Sequence, residues 1–136
     1  MSEPDCKRTA SSSFLTRFAV SVWSGYWVLL FLVMHVRRPP GSQVVHRFGD
    51  KIVHAVAYLV LALLGGWVAA RWGRCVNRRW VIRWLLIYAA YAAADELLQP
   101  LIGRTCQLGD WFADLGGTAA ALILIWGLSY RRRPRD

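Results

Sequence analysis

The chain has 136 residues and a formal net charge of +9 at pH 7; 56% of its residues are hydrophobic and only 18% are charged. With a mean hydropathy of +0.31, this composition argues against a soluble domain and is typical of a small membrane protein. The basic residues cluster at the ends of apolar segments rather than on one face, so we do not expect a nucleic-acid-binding function.

Four apolar runs predict an all-α integral membrane protein with four transmembrane helices. Three of the runs, 18–34, 52–70 and 115–130, are long, and the fourth, 80–94, is short. A spanning helix needs roughly 20 mostly apolar residues, so the short run suffices only if its helix extends in both directions. The predicted helices lie at about 15–36, 52–70, 79–99 and 110–130.

These helices form one membrane domain over residues 14–130, which we expect between a disordered tail, 1–13, and a basic tail, 131–136. The 17 Lys and Arg residues are unevenly distributed, because twelve lie in the two tails, in the loop between helices two and three, or in the helix ends next to them. By the positive-inside rule both termini are then cytoplasmic. The chain is predicted to be a multi-pass protein of the cell membrane, with the lipid bilayer as its first partner.

Helix two carries a polar face at its outer end. It is predicted to begin at Asp50, whose carboxylate suits the positive end of the helix dipole. Asp50, His54 and Tyr58 recur every fourth residue, which places them on one face, and Lys51 flanks them. A capping Asp, a His bonded to a carbonyl and an interfacial Tyr would account for the same face without any function.

Helix three ends in a second polar group. Small residues let helices approach closely, so the alanines over residues 89–94 indicate that Asp95 and Glu96 are tightly surrounded by neighbouring helices. Gln99 lies on the same side of the helix, and Pro100 ends the helix there.

Helix four brings a third polar group. Arg104 lies in the preceding loop, helix four restarts at Asp110, and Asp114 follows one turn later. A row of small residues at four-residue spacing is typical of a helix-packing seam; it consists of Ala113, Gly117 and Ala121.

The predicted topology brings all these polar groups to the extracytoplasmic boundary. Ionisable residues at membrane depth are by default candidates for function. Two helix caps and one salt bridge would need about three acids, each exposed pair contributing about 0–1 kcal/mol. This end has five acids and a histidine, so we predict one functional pocket there.

The same residues resemble the VanZ-like membrane family, which is named for a teicoplanin-resistance protein. The resemblance covers about residues 46–125 and rests on Asp50-Lys51-x-x-His54-x-x-x-Tyr58, then Asp95-Glu96-x-x-Gln99, then Arg104, Asp110 and Gly117. The family often has Asn where this chain has Asp114, which makes the present site more acidic. The resemblance implies a small membrane protein of the cell envelope that contributes to glycopeptide tolerance, an antibiotic-resistance function.

One hypothesis is an enzyme that acts at the outer leaflet on a lipid-linked or phosphate-bearing envelope intermediate. Of the adjacent carboxylates Asp95 and Glu96, one would act as general acid and the other as base. His54 would shuttle protons, and Arg104 would hold an anionic group. Carboxylates and His also suit Mg²⁺, Mn²⁺ or Zn²⁺, but the spacing does not select a metal.

Two other hypotheses remain open. In the first, the pocket is a non-catalytic binder of a lipid head group or antibiotic, with Lys51 and Arg104 as the anion contacts. The other residues of such a pocket would be Asp50, Tyr58, Gln99, Asp110 and Asp114. The second is a proton or ion conduit, which is less well supported because helix two is wholly apolar below Tyr58. No nucleophile elbow or H-E-x-x-H motif supports an enzyme.

Overall fold

The computed structural model describes residues 13–35, 47–102 and 106–131, and its regular secondary structure in these ranges is entirely helical. This confirms the all-α prediction for the described residues. Most of both tails, the Pro39-Pro40-Gly41 linker and Arg104 lie outside these ranges. The described elements are α1 (Ser13–Met34), α2 (Arg47–Arg71), α3 (Arg78–Leu98), a 3₁₀ helix (Gln99–Ile102) and α4 (Leu108–Arg131).

Three of these helices are long and apolar enough to cross a membrane. They are α1, the Gly49–Arg71 part of α2 and the Leu108–Tyr130 part of α4. The 21 residues of α3 have the length of a span, about 30 Å. Its composition is less apolar, because it has basic residues in its first turns and two acids, Asp95 and Glu96, in its last.

The helix ends differ slightly from those predicted. The second helix begins at Arg47 rather than at Asp50, so Asp50 lies in its first turn. The helix breakers Pro39, Pro40 and Gly41 stand well before this point, and a glycine such as Gly49 is tolerated in a first turn. At the same end of the bundle, α3 stops at Leu98 and passes into the 3₁₀ helix, where Pro100 interrupts α-helical geometry.

The end of the bundle where α2 and α4 begin, here called the polar end, depends on a very close approach of these two helices. A Cβ atom added at Gly117 of α4 would overlap the backbone carbonyl of Ala55 in α2. Gly117 is therefore the point at which the two helix backbones touch. The predicted seam of small residues thus lies at the α2–α4 contact, one residue along α2 from His54.

The rest of the bundle is held by aromatic and aliphatic packing. Helix α2 packs against α1 and α4, and α3 packs against α4. Trp23 and Trp27 of α1 meet aromatic rings of α3, with Trp23 and Trp84 centroids 5.6 Å apart and Trp27 and Tyr91 centroids 5.2 Å apart. These edge-on contacts are a preferred geometry of aromatic pairs, and they connect α3 to α1.

Two neighbouring glycines of α4 provide a matched test of the close approach. Gly117→Ala would force α2 and α4 apart and should destabilise the protein by about 1–3 kcal/mol. Gly116→Ala should be neutral or slightly stabilising, because nothing lies within 4 Å of its added Cβ and alanine is the better helix former. Thermal unfolding in one detergent, followed by tryptophan fluorescence, measures both. Equal midpoints for the two variants would contradict the proposed contact.

Candidate functional site

The candidate site is the polar cluster at the end of the bundle where α2 and α4 begin and α3 ends. A set of polar or charged side chains is buried there, each at most 3% exposed: His54, Asp95, Glu96, Gln99, Asp110, Asp114 and Thr118. All but Thr118 were predicted as site residues from the sequence. Ion pairs and hydrogen bonds connect them across helices.

The centre of the cluster is a pair between α2 and α4. The Nδ1 atom of His54 lies 3.1 Å from Oδ1 of Asp114, and both side chains are fully buried. A carboxylate in this environment is costly unless it is hydrogen bonded or paired. His54 provides that partner, and the close approach at Gly117 makes the distance possible.

A second pair lies nearer the aqueous side. The ammonium of Lys51 lies 3.3 Å from Oδ1 of Asp110. The Lys51 side chain is 42% exposed while Asp110 is 3% exposed, so this pair connects the buried cluster to the protein surface. A Cβ at Gly109 would overlap the Lys51 ammonium, and this glycine therefore leaves room for the pair. Asp110 also lies in the first turn of α4, where the helix dipole favours a negative charge.

Glu96 at the end of α3 is oriented by two neutral donors. The side-chain amide of Gln99 donates to Oε1 at 2.9 Å, and the backbone N–H of Gln107 donates to Oε2 at 2.9 Å. Gln99 thus contacts Glu96 three residues back, as its position on the helix predicts. The second bond ties the end of α3 to the segment that enters α4.

Asp95 and Glu96 have different neighbours, although they are adjacent in sequence. Successive helical residues point in different directions. Oδ1 of Asp95 lies 3.4 Å from Nδ1 of His35, which follows the last residue of α1, whereas Glu96 lies toward His54 and Asp114. Glu96 therefore shares a group of potential ligands with Asp114 of α4 rather than with its sequence neighbour Asp95.

His35, like Thr118, is a residue of the site that the sequence analysis missed. Its Nδ1 atom also lies 2.8 Å from the carbonyl of Phe31 one turn earlier, and its ring stacks on Phe31 at 4.1 Å. Its position at the predicted outer end of helix one was the available signal, since Asp95 was expected at the same boundary.

Several buried polar atoms of the cluster have no hydrogen-bond partner among the described residues. They are Nε2 of His54, the hydroxyl of Tyr58, Oε1 of Gln99, Oδ2 of Asp114 and Oγ1 of Thr118. Buried polar groups in folded proteins are normally bonded, so these atoms have unused capacity to bind a water, an ion or a substrate group.

Two groups of potential metal ligands share His54. Asp50, His54 and Asp110 form one, and His54, Glu96 and Asp114 form the other; within each group the ligand atoms lie within 4.8 Å of one another. The first group is partly exposed through Asp50, and the second is entirely buried. The arrangement can hold a cation, transfer a proton, or do both.

A pocket of about 230 Å³ lies between α3 and α4 and reaches Glu96. Apolar side chains form much of its lining, with Leu97, Leu108 and Trp111 among them. Leu97 and Leu108 are 72% and 73% exposed, so the pocket lies on an apolar outer surface. Glu96 is the only acid among its lining residues.

The structure thus brings together nearly all the site residues expected from the sequence. Tyr58 is fully buried one turn below His54, and it interacts electrostatically with Asp114, Asp95 and Glu96. Arg104, the expected anion contact, lies outside the described residues. The roles assigned to all these side chains remain predictions.

The buried and the half-exposed pair should differ in their contribution to stability. Asp114→Leu leaves His54 buried without its partner and should cost on the order of 3 kcal/mol. Lys51→Met removes a cation whose side chain is 42% exposed and should cost less than Asp114→Leu, about 1 kcal/mol, because the N terminus of α4 still stabilises the buried Asp110 carboxylate. Unfolding midpoints in the same detergent test this order. A larger loss for Lys51→Met would contradict it.

In comparisons with known proteins, no protein-family model, curated protein or solved structure matches the chain.

Proposed function

We propose that the chain is a VanZ-like membrane enzyme that acts on a lipid-linked or phosphate-bearing intermediate of the cell envelope. In this proposal all four helices cross the membrane, both termini are cytoplasmic, and the polar cluster lies at the extracytoplasmic face. The sequence resemblance supports the family and the envelope setting, including a contribution to glycopeptide tolerance.

The observation that carries the proposal is the pocket at Glu96. It brings an apolar outer surface into contact with a buried carboxylate that belongs to a cluster containing His54 and Asp114. Its volume is below the usual 300–1,000 Å³ or so of a ligand site, so it can enclose only part of a substrate. A lipid-linked molecule fits this geometry, because its reacting group can enter the pocket while its chain stays in the bilayer.

General acid–base catalysis is the chemistry that these side chains best support. Glu96 is among the residues that line the pocket and its carboxylate is held by Gln99 and the Gln107 backbone, so in this proposal it is the residue that accepts a proton from an attacking hydroxyl or water. His54 and Asp114 lie directly behind it and can take up or return that proton. Lys51 and Arg104 are the candidates for contact with an anionic group.

A non-catalytic binder is the second candidate, and one observation favours it: the pocket is lined mostly by apolar side chains. A conduit through the membrane has less support. Beyond Tyr58 and Thr118, the buried residues that the structure describes include no acid, Lys, Arg or His, and Leu61, Ala62 and Leu122 are at most 1% exposed.

Lipid turnover tests the enzyme directly. Purified wild-type protein and a Glu96→Gln variant are each incubated with total envelope lipids, and mass spectrometry follows both products and retained lipids. Wild type should produce a lipid species that Glu96→Gln forms at least about 100-fold more slowly, which is the contribution of a positioned acid or base.

Arg83→Gln is the matched control, because Arg83 is exposed near the opposite end of α3 and its loss should leave turnover unchanged. If the protein retains a lipid but forms no product, the enzyme hypothesis is wrong and the binder hypothesis replaces it. Arg104→Ala should then release that lipid.

The proposed topology is tested from both sides of the membrane. A reporter fused after Asp136 should be cytoplasmic, because the positively charged termini stay inside. Cys106, which is exposed and lines the pocket, should react with a membrane-impermeant maleimide added outside intact cells. A Cys106→Ser variant gives the background labelling. An extracytoplasmic reporter, or labelling of Cys106 only after the cells are opened, would place the site on the wrong face for this function.

A further inference from the structure

We propose that His54, Glu96 and Asp114 form a binding site for a divalent transition-metal cation of the Mn²⁺ or Zn²⁺ type. The three side chains come from α2, α3 and α4, so such an ion would join the three helices at the buried end of the pocket. The inference builds on the proposed function, since it assigns a cofactor to the same site.

The distances fit one ion. The ligand atoms of the three residues lie within 4.8 Å of one another, and His54 and Asp114 approach to 3.1 Å. Ligands bind such a metal at about 2.1 Å, so two ligands on opposite sides of it are separated by about 4.2 Å. Small side-chain adjustments would therefore place all three donors around a single cation.

Unpartnered buried atoms provide the second, independent observation. His54 and Asp114 are fully buried, and Nε2 of His54 and Oδ2 of Asp114 have no hydrogen-bond partner within the described part of the chain. The Tyr58 hydroxyl, one helical turn along α2 from His54, also has no hydrogen-bond partner among the described residues. A bound cation with its waters would satisfy these atoms.

The charge of the group also calls for a cation. Two buried carboxylates share a single imidazole here, so the group carries a net negative charge, which is costly in a low-dielectric interior. The donors to Glu96 are the neutral Gln99 amide and Gln107 N–H, and the ammonium of Lys51 is bonded to Asp110 instead. One divalent ion would neutralise the group.

The donor set narrows the choice of metal. Imidazole nitrogen suits Zn²⁺ and other transition metals, while carboxylate oxygen also suits Mn²⁺ and Mg²⁺. A site with one nitrogen and at least two carboxylates should therefore prefer Mn²⁺ or Zn²⁺ to Mg²⁺. In the enzyme, an ion next to Glu96 would polarise a phosphoryl oxygen or activate a water.

The alternative group of Asp50, His54 and Asp110 is less suited to hold the ion. Asp110 already binds Lys51, and Asp50 is only half-buried, so its carboxylate needs no metal for compensation. Asp50 therefore serves as a control, because it is a carboxylate close to His54 that should not be a ligand.

The test is a binding measurement on tag-free, full-length protein in detergent, without lipid substrate. After treatment with a chelator, the protein is titrated with Mn²⁺, Zn²⁺ and Mg²⁺ by calorimetry. Elemental analysis after gel filtration measures the bound metal. Wild type should bind one Mn²⁺ or Zn²⁺ per chain, and Mg²⁺ at least tenfold more weakly.

The variants are Glu96→Gln, Asp114→Asn and Asp50→Asn, each of which changes one carboxylate to its amide. Removing a residue that only hydrogen bonds to a metal ligand typically weakens metal binding about 10–100-fold. Loss of a ligand itself, at Glu96 or Asp114, should therefore weaken metal binding by at least about 100-fold. Asp50→Asn should keep the wild-type affinity. Gel filtration of each variant in chelator shows whether it is folded. Glu96→Gln keeps the side-chain size and is the variant on which the inference depends if Asp114→Asn does not fold.

Visible absorption of bound Co²⁺ provides a readout of the ligands themselves. Co²⁺ in the wild-type site should show ligand-field bands that change or vanish in Glu96→Gln and persist in Asp50→Asn. The inference is overturned if wild type takes up no Mn²⁺ or Zn²⁺, if Glu96→Gln binds as tightly as wild type, or if Asp50→Asn alone abolishes binding. Lipid turnover by metal-free protein would overturn a catalytic metal and leave the proposed enzyme intact.

Discussion

The backbone contact between Gly117 of α4 and Ala55 of α2 is the constraint on which the polar end depends. A side chain larger than hydrogen at Gly117 would strike a carbonyl rather than a flexible neighbour, so the helices can approach this closely only here. The neighbouring turns then carry His54 and Asp114 to 3.1 Å from each other, out of contact with solvent. Without that approach the two side chains would be separated or hydrated, and the buried cluster would lose its centre.

The buried ionisable groups are tolerated because most of them have a hydrogen-bonding or charged partner on another helix. Asp114 has His54, Asp110 has Lys51 and its helix N terminus, and Asp95 has His35. Glu96 is the exception, since its described partners are neutral donors. In a low-dielectric interior, Glu96 is therefore the acid of the cluster that a proton, a cation or a substrate group would stabilise most. It is also the acid among the residues that line the pocket, so the least compensated charge lies beside the pocket.

Much of this arrangement could be predicted from sequence, because helical spacing determines which residues share a face. The positions of His54 and Tyr58, the row of small residues around Gly117 and the end of α3 near Pro100 all follow from local rules. Pairwise contacts between helices do not follow from spacing. The partners of Asp95 and Glu96 depend on how far each helix is rotated, which is why their separation and the contribution of His35 appear only in three dimensions. The start of α2 was missed because a helix can extend through residues without breakers until tertiary contacts stop it.

The cluster also connects two environments that an enzyme acting on lipids must join. At one end Glu96 lines a pocket on an apolar surface, and at the other Lys51 and Asp50 are partly exposed. Among the described residues, His54 belongs to both groups of ligands between these ends, so in the proposed enzyme a proton would pass through it from one group to the other. A hydrolytic or transfer reaction on a membrane substrate needs water or a polar acceptor in a site that the lipid also reaches. The buried polar cluster between α2 and α4 forms the polar side of that site, and the pocket between α3 and α4 forms the apolar side. Glu96 belongs to both.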